Sequence, residues 1–249
     1  MSDELPRLRS LLGASTALWA GQPRVEEARW LALSGARGVD YNVALCHGAT
    51  DGAAIGQSIE EINAARAPGL IMVAGRALGE VQHLIDASWV CISSVPFMSI
   101  PISADAPPAA DEARRLEPAE MGGAREMIAE VFGITPELAD VALPDAALSA
   151  PGQSAWGLFE DGELVSCLGA VVVEEVVVVW SMATGTAHRR RGYGARLLTA
   201  MLADAGRAGV TRSILHASPD GEPFYTALGY DTLERWQIWS RPRWVLRHT

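Results

Sequence analysis

The chain has 249 residues, a formal net charge of −10 and 49% hydrophobic residues, enough apolar material for one large core or two smaller ones. The acid excess argues against a nucleic-acid partner, which needs a broad basic face. All 20 basic residues are arginines, which excludes lysine Schiff-base chemistry and a lysine-dependent Walker loop. No apolar run approaches the ~20 residues of a membrane span, and the acidic start Met1–Leu5 does not read as a signal peptide. A cytoplasmic protein is expected. Cys46, Cys91 and Cys167 lie far apart without ligand spacing, and the five histidines form no H-x-x-x-H set, so neither a disulfide nor a metal is expected.

The first half opens with a predicted helix near Leu5–Leu18. Strands follow near Ala28–Leu33 and Asn42–Cys46, then a helix over Ala53–Ala65 with Asp51 near its start. A strand at Leu70–Ala74, a helix at Ala77–Ala87 and a strand at Trp89–Val95 complete it. Periodicity then stops in a proline-, alanine- and acid-rich stretch that reads as a linker. The expected division is therefore 1–103, a linker at 104–117, and 118–249.

The second half reads clearly. Met121, Ala124, Met127, Ile128, Val131 and Phe132 have helical spacing closed by Gly133. Thr135-Pro136-Glu137 opens a short helix with threonine at the N-cap. Ala155–Glu160 predicts a strand and Asp161-Gly162 a hairpin turn. Strands at Leu164–Val173 and Val176–Ala183 are joined at Glu174-Glu175. A helix over Tyr193–Ala208 ends at Gly209; a strand at Thr211–Ala217, a short helix at Gly221–Leu228 and a last strand at Thr232–Ser240 follow. From Asn42 on, the first half runs strand, helix, strand, helix, strand, as the second does from Val176, which suggests a diverged structural repeat.

Between the strand ending at Ala183 and the helix starting at Tyr193 lies Arg189-Arg190-Arg191-Gly192-Tyr193-Gly194, of the form R-x-x-G-x-G. Glycines that bare backbone amides, a helix N-terminus and flanking arginines make a seat for a diphosphate. Further on comes Pro223-Phe224-Tyr225-Thr226-Ala227-Leu228-Gly229-Tyr230. The two motifs at this spacing resemble the acyl-CoA pyrophosphate loop and the Y-x-x-L-G-F/Y segment of the GCN5-related N-acetyltransferase (GNAT) superfamily. The resemblance covers roughly Pro118–Arg241.

It implies an α/β (α+β) fold with a mixed, mostly antiparallel central sheet flanked by helices. It also implies acetyl-CoA as co-substrate, bound by Arg189, Arg190, Arg191, Gly192, Tyr193, Gly194, Ala195 and Arg196, with the amides of residues 191–196 directed into the loop. Met182, Ala183 and Thr184 would pair with the pantetheine arm and polarise the thioester carbonyl, and Ser218 would be a minor CoA contact. Tyr225 would protonate the departing thiolate. From unperturbed values, ~10 for the phenol and ~8.5 for a thiol, that transfer is uphill by roughly 2 kcal/mol. Where the family often has proline, this chain has Thr186.

The base is open: Glu174, Glu175, His216, Ser218 and bound water are all candidates. The expected reaction is direct transfer to a primary amine of a small acceptor, and the negative charge suits a cationic substrate. A longer acyl-CoA, an aminoglycoside or protein N-terminus as acceptor, and a silent CoA-binding sensor are alternatives; a monomer and a homodimer are both open. In the first half, Gly48-Ala49-Thr50-Asp51-Gly52 falls where the phosphate loop would be, but it has no arginine, and Asp51 would repel phosphate. A CoA site there is expected to be dead.

Overall fold

Apolar spacing and glycine punctuation set most element boundaries. A computed structural model describes residues 4–48, 51–103 and 112–245. The elements, in chain order, are α1 Glu4–Ser15, α2 Ala17–Ala20, β1 Arg24–Val25, β2 Arg29–Leu33, β3 Asn42–Cys46, α3 Ala53–Ala64, β4 Leu70–Val73, α4 Gln82–Asp86 and β5 Val90–Pro101. After the described residues resume come β6 Ala113–Arg115, α5 Met121–Phe132, α6 Pro136–Ala142, β7 Gln153–Glu160, β8 Glu163–Val173 and β9 Val176–Thr184. The last are α7 Tyr193–Arg207, β10 Arg212–His216, α8 Glu222–Ala227, β11 Asp231–Ser240 and α9 Pro242–Val245. The mixed α/β fold with a mostly antiparallel sheet is therefore as expected.

Packing divides the chain into two units, Met1–Met98 with His216–Thr249, and Ser99–Leu215. The first unit carries strands in the order β1-β2-β3-β4-β11-β5. β3 and β4 are parallel, with Val43 beside Leu70, and α3 crosses between them. β11 joins antiparallel to β4, Trp239 beside Ile71. The core under this sheet includes Leu31, Ile55, Ile62, Ile71, Val73, Leu84, Trp89 and Trp239.

The second unit carries β10-β9-β8-β7-β6. β7, β8 and β9 form an antiparallel meander, and β9 runs parallel to β10, Val176 beside Arg212. Glu174, at φ 54°, supplies the left-handed residue of the turn between β8 and β9. α7 is the crossover from β9 to β10. It turns Leu197, Leu198 and Met201, all buried, toward the sheet, each contributing on the order of 2 kcal/mol.

Two sequence expectations give way to long-range pairing. The linker expected at 104–117 contains a strand: Ala113–Arg115 pairs with Trp156–Leu158 of β7. Three residues carry no readable period; β6 exists because β7 offers an edge. Residues 104–111 lie outside the described residues. The strand expected to end at Val95 runs on to Pro101. Pro96 lacks an N–H but keeps its carbonyl, which accepts the Ala217 amide at 3.1 Å. The packing division also differs from the division by chain order, since α8 and β11 belong with the first unit.

Candidate active site

In the second unit, β9 carries Met182, Ala183 and Thr184 to the foot of the arginine loop. Its antiparallel ladder to β8 is interrupted. Cys167 pairs with Ala183 and Gly169 with Trp180, so β9 holds an extra residue there. Ser181 sits at φ 50° in this bulge, and its hydroxyl donates to the Ala142 carbonyl at 2.8 Å. A bulge re-aims the strand end beyond it, so the direction of Met182–Thr184 is set by Ser181. Nothing in the surrounding sequence marks this serine, which sits just after a valine run. Ser166 holds the strand end by donating to the Ala183 carbonyl at 2.8 Å and lying 2.9 Å from the Thr184 hydroxyl.

The chain then makes a short 3-10 turn, Thr186–His188. The Thr186 hydroxyl donates to the Glu130 carboxylate, and His188 lies 3.2 Å from Glu163. These bonds brace the loop at Thr186. Arg190 takes a left-handed conformation, φ 63°, and Gly192 caps α7 at φ 80°. A Cβ at Gly192 would meet nothing within 4 Å.

A helix leaves its first amides without internal acceptors. Here the first intrahelical bond is the Arg196 amide to the Gly192 carbonyl at 3.0 Å. Among the described residues, the amides of Arg190, Arg191, Gly192, Tyr193, Gly194 and Ala195 meet no backbone acceptor. The donor set thus ends at Ala195. The expectation that Arg196 also offers its amide is corrected, because that amide closes the first turn of α7.

The four arginines are not equivalent. Arg196 pairs with Glu112 at 2.8 Å and with Glu160 at 3.5 Å. Arg189 leans its Nε on the Thr184 carbonyl at 3.4 Å. Arg190 and Arg191 are exposed and have no acidic partner among the described residues. Two unpaired guanidiniums therefore flank six amides without backbone acceptors, a geometry suited to charge-assisted bonds with a diphosphate. Tyr193 is buried under the Arg196 guanidinium, 5.6 Å from its ring centre, so it acts as packing for the loop.

Ser218 and Tyr225 lie together in the first unit. The Ser218 hydroxyl accepts the Gly221 amide at 3.1 Å, and the Tyr225 amide bonds the Gly221 carbonyl at 3.2 Å. The Tyr225 ring sits edge-on to Phe224 and Tyr230, at 5.1 and 5.5 Å. Burial pushes its phenol up to about 12. His216 stands against Trp236 at 6.3 Å, and burial lowers its imidazole to about 4, so it is neutral at pH 7. Among the described residues no group of three or more metal-ligating side chains is present, and no helix is long and apolar enough to cross a membrane.

The first unit has a similar helix cap with different surroundings. Gly52 caps α3 at φ 70°, in the same left-handed region as Gly192. A Cβ there would stand 2.0 Å from His83 Nε2. Asp51 accepts the Ala53 amide at 3.1 Å, taking a donor that an anion would need. Ala49 and Thr50 of this stretch lie outside the described residues. At the end of β3, His47 is buried, and the also-buried Arg9 makes a two-bond pair with Glu234 at 2.6 and 2.5 Å.

Residues 124–230 match the acetyltransferase (GNAT) family model. No curated protein matches the sequence. Among solved structures, a GCN5-related N-acetyltransferase from Kribbella flavida is 19% identical with a TM-score of 0.68, each chain covered to 95%. One from Sphaerobacter thermophilus is 14% identical with a TM-score of 0.61, covering 95% of this chain and 93% of its own. A glucosamine N-acetyltransferase region of a fungal multi-domain β-N-acetylglucosaminidase is 12% identical with a TM-score of 0.59, covering 86% of this chain and 31% of its own. Residues 124–230 thus match the GNAT family model, in a chain whose fold is shared with GNAT proteins along nearly its whole length.

Proposed function

We propose that the chain transfers an acetyl group from acetyl-CoA to a primary amine of a small acceptor, directly and without an acyl-enzyme. The observation that carries this reading is the run of amides from Arg190 to Ala195, which among the described residues meet no backbone acceptor and are flanked by Arg190 and Arg191 without acidic partners. It supports a diphosphate at the head of α7, with the pantetheine arm along Met182–Thr184. Buried thiols at Cys46 and Cys167 are raised to about 11 and 12 by desolvation, which suits neither to nucleophilic duty.

In the proposed reaction the amine, deprotonated through water, attacks the thioester carbon. A tetrahedral oxyanion forms, an amide of the strand end stabilises it by on the order of 3 kcal/mol, the attacking nitrogen gives up its second proton to water, and the C–S bond breaks. Tyr225 donates to the departing sulfur. Burial raises its phenol to about 12, which favours keeping the proton on oxygen until charge builds on sulfur. Tyr225 therefore delivers its proton late. The same high value keeps the phenol protonated to about pH 12, so the rate shows no alkaline limb from Tyr225 below that.

Thiol release from acetyl-CoA with a panel of amines tests this reading. Tyr225→Phe should slow turnover ~10²-fold or more, while CoA binding stays within a few-fold of wild type. A change of only a few-fold in turnover removes Tyr225 from the chemistry. Tight CoA binding with no turnover on any amine would make the protein a binder.

A further inference from the structure

Within the first unit, a cavity of about 400 Å³ is lined by Asn63, Arg66, Arg241, Arg243 and Trp244. The fold brings these together from two directions. α3 ends at Ala64, and Arg66 follows in a left-handed conformation, φ 54°. The end of β11 is tied to the segment after α3 by Ser240, whose hydroxyl donates to the Gly69 carbonyl at 3.0 Å. Arg241 comes next, and α9 swings Arg243 and Trp244 round the same space, with the Trp244 amide on the Arg241 carbonyl at 2.9 Å.

Three guanidiniums thus converge in a chain that is strongly acidic overall. Among the described residues none of the three has a carboxylate partner or a hydrogen bond. Arg241 Nε is buried and has no acceptor among the described residues. Its guanidinium lies over two indoles, 5.8 Å from the centre of Trp89 and 5.5 Å from Trp244, and Arg243 lies 5.5 Å from Trp244. Cation–π contact offsets part of the burial but supplies no acceptor for Nε. The C-terminal end of α3 offers about half a negative charge, against three full positive ones. Burial and the neighbouring Arg243 both lower the Arg241 pKa, the mark of like charges held together without a counter-ion.

We propose that this cavity is a second anion site, binding a phosphoryl-bearing small molecule through Arg66, Arg241 and Arg243, with Trp244 as an apolar wall. Planar guanidiniums bind phosphate oxygens in pairs. At ~30 Å³ per water the space holds about a dozen waters, so it takes more than a bare phosphate. The site is built wholly from the first unit and does not depend on how the arginine loop before α7 is used.

Calorimetry with pyrophosphate on the full chain tests this in a background that removes the other diphosphate seat, Arg191→Glu with Gly194→Val. One pyrophosphate should bind that variant, and adding Arg241→Gln with Arg243→Gln should weaken it at least ~10-fold, or abolish it. Arg66→Gln alone, on the exposed rim, should weaken it several-fold and keeps the test open if the double change disturbs folding. Undiminished affinity in both cavity variants, or no pyrophosphate bound to the background variant, overturns the proposal. Neither result bears on acyl transfer, which is read separately by thiol release in an otherwise wild-type chain.

Discussion

The caps of α3 and α7 share a left-handed glycine and differ in what surrounds it. Each follows a strand, each places a left-handed glycine at the helix cap, and each helix leads to a parallel strand. At Gly192 the space is open and, among the described residues, the next amides lack backbone acceptors and two arginines have no acidic partner. At Gly52 the chain has supplied its own ligands: His83 stands over the glycine and Asp51 caps an amide. Behind it, His47, Arg9 and Glu234 close the end of β3. The same left-handed cap thus leaves amides open at one helix and is satisfied from within the chain at the other.

The largest effect that could break this comparison falls on the open loop. Arg191→Glu with Gly194→Val should weaken CoA binding by ~10³-fold or more, from reversing a charge-assisted contact and adding bulk at the helix start. Circular dichroism should be unchanged. Retained affinity in calorimetry would put the diphosphate elsewhere.

The filled end of β3 predicts a pH effect on stability. Burial, and to a lesser extent Arg9, lower His47 to about 4, against the ordinary 6.5. The unfolded chain therefore holds more protons than the folded one between those values. Stability is full above pH 6.5 and falls as pH drops toward 4, by about 3 kcal/mol from this group. Urea unfolding of His47→Gln should show a shallower fall over that window than wild type. An equal slope would mean that His47 is not the group whose charge is excluded, and would leave His216, also lowered to about 4, to account for it.

The smallest and most discriminating test uses matched glycines. Ala in a left-handed backbone costs roughly 1–2 kcal/mol, so Gly52→Ala and Gly192→Ala should lose similar stability; His83 is half-exposed and can swing aside. CoA affinity should fall ~10-fold for Gly192→Ala and stay unchanged for Gly52→Ala. Equal losses of affinity would show that the two loops do not differ as described.

Local chemistry in the sequence was enough to place the strand–loop–helix of the second half, since Gly192, Gly209, Gly229 and the apolar face of α7 act over a few residues. It was also enough to single out Asp51 in the first loop, where it accepts the Ala53 amide. Long-range partners were not legible. β6 is three residues whose pairing depends on β7, β5 continues through Pro96 because only its carbonyl is used, and β11 joins β4, far away in the chain. The site had the same limit. Four arginines look alike in sequence, but Glu112 and Glu160 claim Arg196, and the Ser181 bulge that aims Met182–Thr184 leaves no local mark.

A crystal structure with CoA bound tests the central claim most directly. The account predicts diphosphate oxygens within hydrogen-bond distance of the amides between Arg191 and Ala195, with Arg190 or Arg191 closing over them and the Gly52 loop unchanged. A diphosphate lodged anywhere else, with those amides still unbonded, would contradict it.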